Sequence, residues 1–417
     1  MQNSNVHLLF STRLIRSFAY GFLAVALALY LAQIGLSGGQ IGLLFTLTLV
    51  GDAGISLWLT TAADRLGRRR MLRIGAALML LAGIVFVLTH NFIILVIAGI
   101  IGVISPSGGE IGPFLPIEQA ALSQLIPNER RTQFFTWYSL LGAFANAFGS
   151  LAGGWLLQGF ATGGATPLVA YRAVMIGYAM LGALLLILFT QLSPVVEAPH
   201  RQSTGQHTDK RAARHPGALL GLPKSHNLVL RLSALFALDA FGGAFILQSM
   251  LAYWFQRKFG VEPAVLGNLF FATGMVAGLS SLLTSPMAAR FGLIKTMVWS
   301  QLPANLLLML MPLMPNWWLA GLVFLLRSTI AQMDIPARHS YTLAVVDPAE
   351  RSAAAGVTTI VRSMGAALAP VLSGPLLASA TLLSLPFFIS GGLKIIYALA
   401  LYRSFCAIKP PEEQTQL

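Results

Sequence analysis

The sequence predicts an all-α membrane protein whose twelve transmembrane helices form two pseudo-symmetric six-helix bundles. Three observations lead there. First, 56% of the 417 residues are AVILMFWYC and only 10% are charged, whereas a soluble globular protein carries roughly 25% charge. The chain lacks the ions to cover a water-facing surface, which excludes an ordinary soluble enzyme, a disordered chain and a coiled coil. Second, apolar runs about 20 residues long recur along the whole chain, the length needed to cross a bilayer as a helix. Third, the second half repeats features of the first.

The runs fall at 8–34, 40–62, 71–90, 92–125, 132–158, 168–192, 227–255, 264–288, 293–314, 316–344, 350–378 and 384–405. They are too long for barrel strands, which need only about 10 alternating residues. The first run is too long for a signal-peptide core and shows no small-residue cleavage site, so it reads as a retained helix. The polar stretch 193–226 divides the spans six and six. The expected organisation is therefore an N-terminal bundle over 1–192, a cytoplasmic linker over 193–226, and a C-terminal bundle with a short tail over 227–417.

Lys and Arg distribution sets the expected orientation. Arg65, Arg68, Arg69, Arg70 and Arg73 crowd the loop at 63–73, with Arg130, Arg131, Arg290 and Lys295 in two further breaks. The loops at 35–39, 90–91, 312–317 and 379–383 hold no Lys or Arg. This asymmetry places both termini and the basic loops in the cytoplasm, with the protein in the plasma (inner) membrane. The net charge of +13 thus reads as a topology signal rather than a nucleic-acid patch, and no nucleic-acid partner is expected. Cys406 is the single cysteine, which excludes an internal disulfide framework and a cysteine-based zinc site. His200, His207, His215 and His226 in the linker are spaced too widely for a compact metal site. No GxxxxGK[ST] phosphate loop occurs, so nothing points to ATP drive.

Sliding the halves over one another reveals the repeat. Ile34-Gly35 and Gly42-Leu43-Leu44-Phe45 fall on Phe259-Gly260 and Gly267-Asn268-Leu269-Phe270 at an offset of 225. Arg65-Leu66-Gly67 falls on Arg290-Phe291-Gly292 at the same offset. Later, Pro127-Asn128-Glu129-Arg130 matches Pro348-Ala349-Glu350-Arg351 at an offset near 221. Two halves of one design imply a transporter with its site between them at mid-membrane depth.

The loop Thr60-Thr61-Ala62-Ala63-Asp64-Arg65-Leu66-Gly67-Arg68-Arg69-Arg70 resembles the loop between helices 2 and 3 of the major facilitator superfamily, with Thr60 where that family usually has glycine. The resemblance implies a cytoplasmic gating latch made by Asp64, Arg65 and Arg68 to Arg70, with Gly67 permitting the tight turn. In the second copy Ala289 stands at the acid's position, which implies a weaker latch there. Helix 5 carries Ala145-x-x-x-Gly149-Ser150-x-x-Gly153-Gly154, similar to the family's antiporter signature but with alanine for its first glycine and serine for its proline. Helix 11 keeps the proline in Gly365-x-x-x-Ala369-Pro370-x-x-Ser373-Gly374. Small residues four apart let helices approach closely, so Gly149, Gly153, Gly154, Gly365, Pro370 and Gly374 are expected to pack helices on a sliding surface. The helix 4 arginine of proton antiporters is absent, with Ile104 in its place. Instead Ser105 to Glu118 holds three prolines, three glycines, Glu110 and Glu118. Such a segment predicts a bent or unwound helix, tolerated in the membrane only against protein or a watery cavity.

Charges inside spans are expensive and usually functional. Arg16 on helix 1, Asp52 on helix 2 and Glu118 on helix 4 lie roughly 10–17 Å from the cytoplasmic edge at about 1.5 Å per residue, which puts Arg16 within reach of one acid. Glu110 is expected higher, without an arginine at its level, and is the leading candidate proton carrier, Asp52 the second. Asp239, Asp334 and Arg362 share a level in the second half. Arg327 sits higher on helix 10. Glu118 and Arg338 occupy matching repeat positions, so they are candidates for a pair across the halves that forms a cytoplasmic-side gate. Each of these charges could equally be a structural ion pair.

The family resemblance and these charges together predict a secondary active transporter rather than an enzyme. The expected action is proton-coupled export of a small organic or drug-like molecule by a monomer embedded in the lipid bilayer. The proton gradient would drive it, with no cofactor. Two alternatives stay open: uptake or facilitated diffusion of an organic anion, favoured by Arg16, Arg327 and Arg362, and a non-transporting sensor that keeps the fold.

Overall fold

Sixteen α-helices and two short 3-10 turns follow one another, with no strand among the described residues. The structure is a computed structural model that describes residues 2–110, 112–127, 131–197, 225–347 and 350–406. In chain order the helices are α1 Gln2–Gln33, α2 Gly38–Leu66, α3 Arg68–Leu88, α4 Phe92–Ile101, α5 Phe114–Leu125, α6 Arg131–Thr162, α7 Pro167–Thr190, α8 His226–Ala244, α9 Gln248–Phe259, α10 Pro263–Ser281, α11 Thr284–Phe291, α12 Leu293–Leu310, α13 Trp317–Ala331, α14 Asp334–Val345, α15 Arg351–Ala378 and α16 Leu385–Phe405. Among the described residues, eleven stretches are long and apolar enough to span a membrane, two of them formed by helices in tandem: α8 with α9, and α13 with α14. The remaining traverse is interrupted, its apolar part being Phe92–Ile101. Most of the expected linker, residues 198–224, lies outside the described residues.

Several spans that the hydropathy pattern draws as continuous are broken, and proline explains two of the breaks. A proline inside a helix leaves the carbonyl four residues earlier without its donor. Pro286 thus strands Leu282, where α10 gives way to α11 through a tight turn at Leu282 and Leu283. Pro336 likewise strands Gln332, and α13 ends at Ala331 before α14 restarts at Asp334. The expected unwinding of helix 4 is present over 102–110 and 112–113, with Gly108 and Gly112 both at positive φ.

Two compact units result, and they interleave in sequence. The first comprises Met1–His200, Ile246–Met275 and Pro370–Leu383, and the second Arg201–Phe245, Val276–Ala369 and Ser384–Leu417. In the first unit the second half of α1, from Ala19 to Leu31, is apolar all round, as a helix segment buried on every side must be. Its stretch from Leu23 to Leu31 is essentially inaccessible, enclosed chiefly by α6, α7 and α9. Gly149 and Gly153 of α6 sit against the backbone carbonyls of Phe18 and Phe22 on α1. Gly154 lies against Pro263 and Gly267 of α10, and Gly38 and Gly42 of α2 lie against Gly374 and Pro370 of α15. A Cβ at any of these glycines would overlap neighbouring backbone, so the approach depends on their lacking one.

The second unit is centred on Leu232, Phe236, Met297, Tyr341, Tyr397, Leu401 and Phe405, contributed by α8, α12, α14 and α16. Gly365 of α15 rests on the carbonyl of Ala237. In both units large apolar side chains face outward, Leu88 being 77% and Trp299 69% exposed. Such surfaces are costly in water and natural in hydrocarbon.

Candidate functional site

In the first unit the charges meet where α1 faces the unwound part of helix 4. Arg16 reaches Glu118 with both terminal nitrogens, Nη1 to Oε1 at 2.8 Å and Nη2 to Oε2 at 2.7 Å. Glu118 also accepts from Thr12 at 3.0 Å and from the Tyr138 hydroxyl. Arg16 and Glu118 are both fully buried. A two-pronged arginine–carboxylate pair with its remaining lone pairs satisfied is the geometry in which buried charge is tolerated.

Glu110 completes this cluster. It pairs with Arg13, lies 3.4 Å from the Arg16 Nε, and accepts from Ser17 at 3.2 Å. The expectation that no arginine stands at its level is therefore overturned. The estimate of height used the helical rise, and an unwound segment does not climb at that rate. Glu110 remains 17% exposed, unlike Glu118.

Asp52 on α2 holds the same unwound segment from another side. Its carboxylate accepts from the Gly112 backbone N–H at 2.6 Å and from Ser56 at 3.2 Å. Other freed backbone groups are also met by polar partners. Asn146 donates to the Gly108 carbonyl, and the Ser249 N–H donates to the Pro106 carbonyl at 3.1 Å. Irregular backbone at membrane depth requires such internal satisfaction.

The second unit builds a different cluster around Asp239 of α8. Arg338 Nη1 donates to its Oδ2 at 2.9 Å, Lys394 Nζ donates to its Oδ1 at 2.5 Å, and Arg362 Nη2 lies 4.0 Å away. Arg338 also pairs with Asp334 at 3.6 Å, one helical turn back. Its guanidinium lies 5.5 Å from the centre of the Phe236 ring. Of the three charges expected at one level, Asp239 lies 4.0 Å from Arg362 and shares Arg338 with Asp334. The Glu118–Arg338 pair is not needed to satisfy either residue. Each finds an opposite charge inside its own unit, because Arg16 and Asp239 present the complementary sign on the neighbouring helix.

The loop expected to act as a latch is described in part. The side chains of Asp64 and Arg65 lie outside the described residues. Gly67 turns the chain between α2 and α3 at φ +99°. Glu197 caps the start of α3 by accepting from the backbone N–H groups of Arg68 at 2.5 Å and Arg69 at 3.3 Å. A carboxylate belongs at a helix N-terminus, where unpaired N–H groups and the dipole favour negative charge. The Arg68 guanidinium reaches Gln124 at 2.9 Å and the Val196 carbonyl.

Lys394 was not among the residues singled out from the sequence, although a lone lysine inside span 384–405 carries the same signal as the other intramembrane charges. The roles of Arg13, Tyr138 and Glu197 needed the fold, because nothing in their local sequence names a partner.

A model of the major facilitator superfamily matches residues 9–242 and again 232–417. The chain belongs to that superfamily. The double match is the repeat itself, each half recognised separately. A Saccharomyces cerevisiae relative, the uncharacterized membrane protein YJR124C, is 30% identical over 97% of this chain and 94% of its own length. The quinolone resistance protein NorA of Staphylococcus aureus (strain COL) is 21% identical over 90% of both chains. Among solved structures, a D-xylose-proton symporter superposes with a TM-score of 0.73 at 16% identity, covering 95% of this chain and 97% of its own. The protein is an integral, multi-pass membrane protein with a major facilitator transporter fold.

Proposed function

We propose that this protein is a secondary active transporter working by alternating access, and that it exports a small organic or drug-like molecule in exchange for protons. The observation that carries the reading is the placement of Glu110. It is a partly accessible carboxylate, held by Arg13 and Arg16 on α1, and borne on unwound backbone whose other end is tied to Asp52. A carboxylate's proton affinity depends on whether an arginine stands beside it. A rearrangement that moves α1 relative to this segment parts Glu110 from its two arginines, and that tie between shape and charge is the link a coupled transporter needs. The proton symport named for the structure of like fold and the quinolone resistance named for NorA both support the reading. Plasma-membrane location, cytoplasmic termini and a monomeric state belong to the same proposal, on the distribution of Arg and Lys among the loops.

The test is flux of a substrate panel in proteoliposomes with an imposed pH gradient, comparing wild type with Glu110→Gln. The expected result is gradient-driven flux that the substitution uncouples. Flux indifferent to both the gradient and the substitution would sink the proton-carrier role. The latch expected at the 63–73 loop is tested by Asp64→Asn, which should slow switching and leave binding mostly intact.

A further inference from the structure

The charges of the second unit do not balance. Within its spans only Asp239 and Asp334 carry negative charge. Arg338 and Lys394 already answer these two carboxylates. Arg362 and Arg327 are left over. Arg362 stands 4.0 Å from an Asp239 oxygen that Arg338 occupies, with its side chain 36% exposed. Arg327 stands seven residues before Asp334 in the same membrane span, and its Nε is buried with no hydrogen-bond partner among the described residues. Four cations thus face two acids at membrane depth, where an uncompensated charge is costly.

A second observation points the same way. The Nε of Arg338, a residue 3% exposed, and the hydroxyl of Tyr397, 1% exposed, are buried without partners. Tyr397 packs against Phe236, the ring over which the Arg338 guanidinium lies. With the Nε of Arg327, three buried groups able to donate therefore find no acceptor in the cluster. Buried polar groups are normally satisfied, and each exception asks for an explanation. Here the same explanation answers the missing acceptors and the missing negative charge.

We infer that Arg362 and Arg327 hold an oxyanion of the transported molecule, its carboxylate or phosphate group, so that the substrate is an organic anion. The inference rests on the transport reading and narrows it to a substrate class. Arginine suits this role because its planar fork matches carboxylate and phosphate oxygens in a two-pronged fashion. Asp239, held by Arg338 and Lys394, is the fixed acid beside which Arg362 stands.

The experiment uses the full chain in nanodiscs of phosphatidylcholine, followed by thermal unfolding at matched ionic strength. Benzoate and phenyl phosphate are titrated as probes, benzamide serves as the neutral isostere, and a parallel set contains phosphatidylglycerol. Wild type should be stabilised by one or both aromatic anions and not by benzamide. Arg327→Gln and Arg362→Gln should each weaken that response about tenfold, the scale of one lost charge-assisted hydrogen bond. No stabilisation by either anion, or equal stabilisation of wild type and both variants, would overturn the inference. Stabilisation by phosphatidylglycerol alone would also overturn it, since a lipid headgroup would then be the occupant. The assay needs no flux. Anion binding with pH-insensitive transport would fault only the coupling proposal, and coupled transport without anion binding would fault only this one.

Discussion

The two buried charge clusters occupy related helices and carry opposite arrangements. In the first unit an arginine on the opening helix, Arg16, grips an acid on helix 4, Glu118. In the second an acid on the opening helix, Asp239, is gripped by an arginine on helix 10, Arg338. Glu118 and Arg338 stand 220 residues apart and Arg16 and Asp239 223 apart, close to the offset of the internal repeat. One scaffold position therefore tolerates either sign, provided its neighbour supplies the other. What differs is the surplus. The first cluster sets two arginines against two glutamates with Asp52 nearby, and the second leaves two arginines over. A balanced cluster can hold helices together and pass a proton. A surplus of cations needs a ligand or water to be stable.

The sharpest way to break this comparison is to remove one member of the matched pair. Glu118→Ala leaves the Arg16 guanidinium buried without its main partner, and loss of about 3–5 kcal/mol of stability is expected. Thermal unfolding of the purified variant measures it, and a change below about 1 kcal/mol would show that the pair is not sealed from water. Asp239→Asn should cost about 3 kcal/mol, because Arg338, Lys394 and Arg362 then face one another across a neutral amide. Adding Lys394→Met should return part of that loss. A strictly additive double variant would contradict the shared-acid geometry.

The next effect tests how the balanced cluster is assembled. Gly149→Val drives a side chain into the Phe18 carbonyl and separates α6, which bears Tyr138, from α1, which bears Arg16. A loss of about 1–3 kcal/mol is expected from overpacking, read by the same unfolding measurement. The smallest effect belongs to the surplus. Arg362→Gln should shift unliganded stability by no more than about 1 kcal/mol, since its contact with Asp239 is long and partly solvated. A loss as large as that of Glu118→Ala would make Arg362 a structural partner of Asp239 and erase the distinction between the clusters.

Much of this was legible in the chain itself. Length and hydropathy dictate helices in a bilayer, since no other segment of that composition can satisfy its backbone there. The self-match between halves announces the duplication, and the glycines and prolines between Ser105 and Pro116 announce the unwound segment. The prolines at 286 and 336 mark two further breaks, but Pro303, Pro370 and Pro375 lie inside continuous helices, so numbering alone does not place a break. Most intramembrane charges stand out in the chain, but Arg231, Lys394 and Arg403 also lie inside spans and were passed over.

Which charges meet was a different matter. Placing Glu110 by helical rise failed once the helix that carries it came unwound, and no local pattern links Arg13 to a residue nearly a hundred positions away. The interleaving of the two compact units, with Ile246–Met275 and Pro370–Leu383 grouped with the first, likewise has no signature in hydropathy. The physical reason is the same throughout. Partition into hydrocarbon is a sum over local side chains, so sequence alone determines it. Charge pairing depends on distances set by packed backbones, and those exist only after the helices have come together.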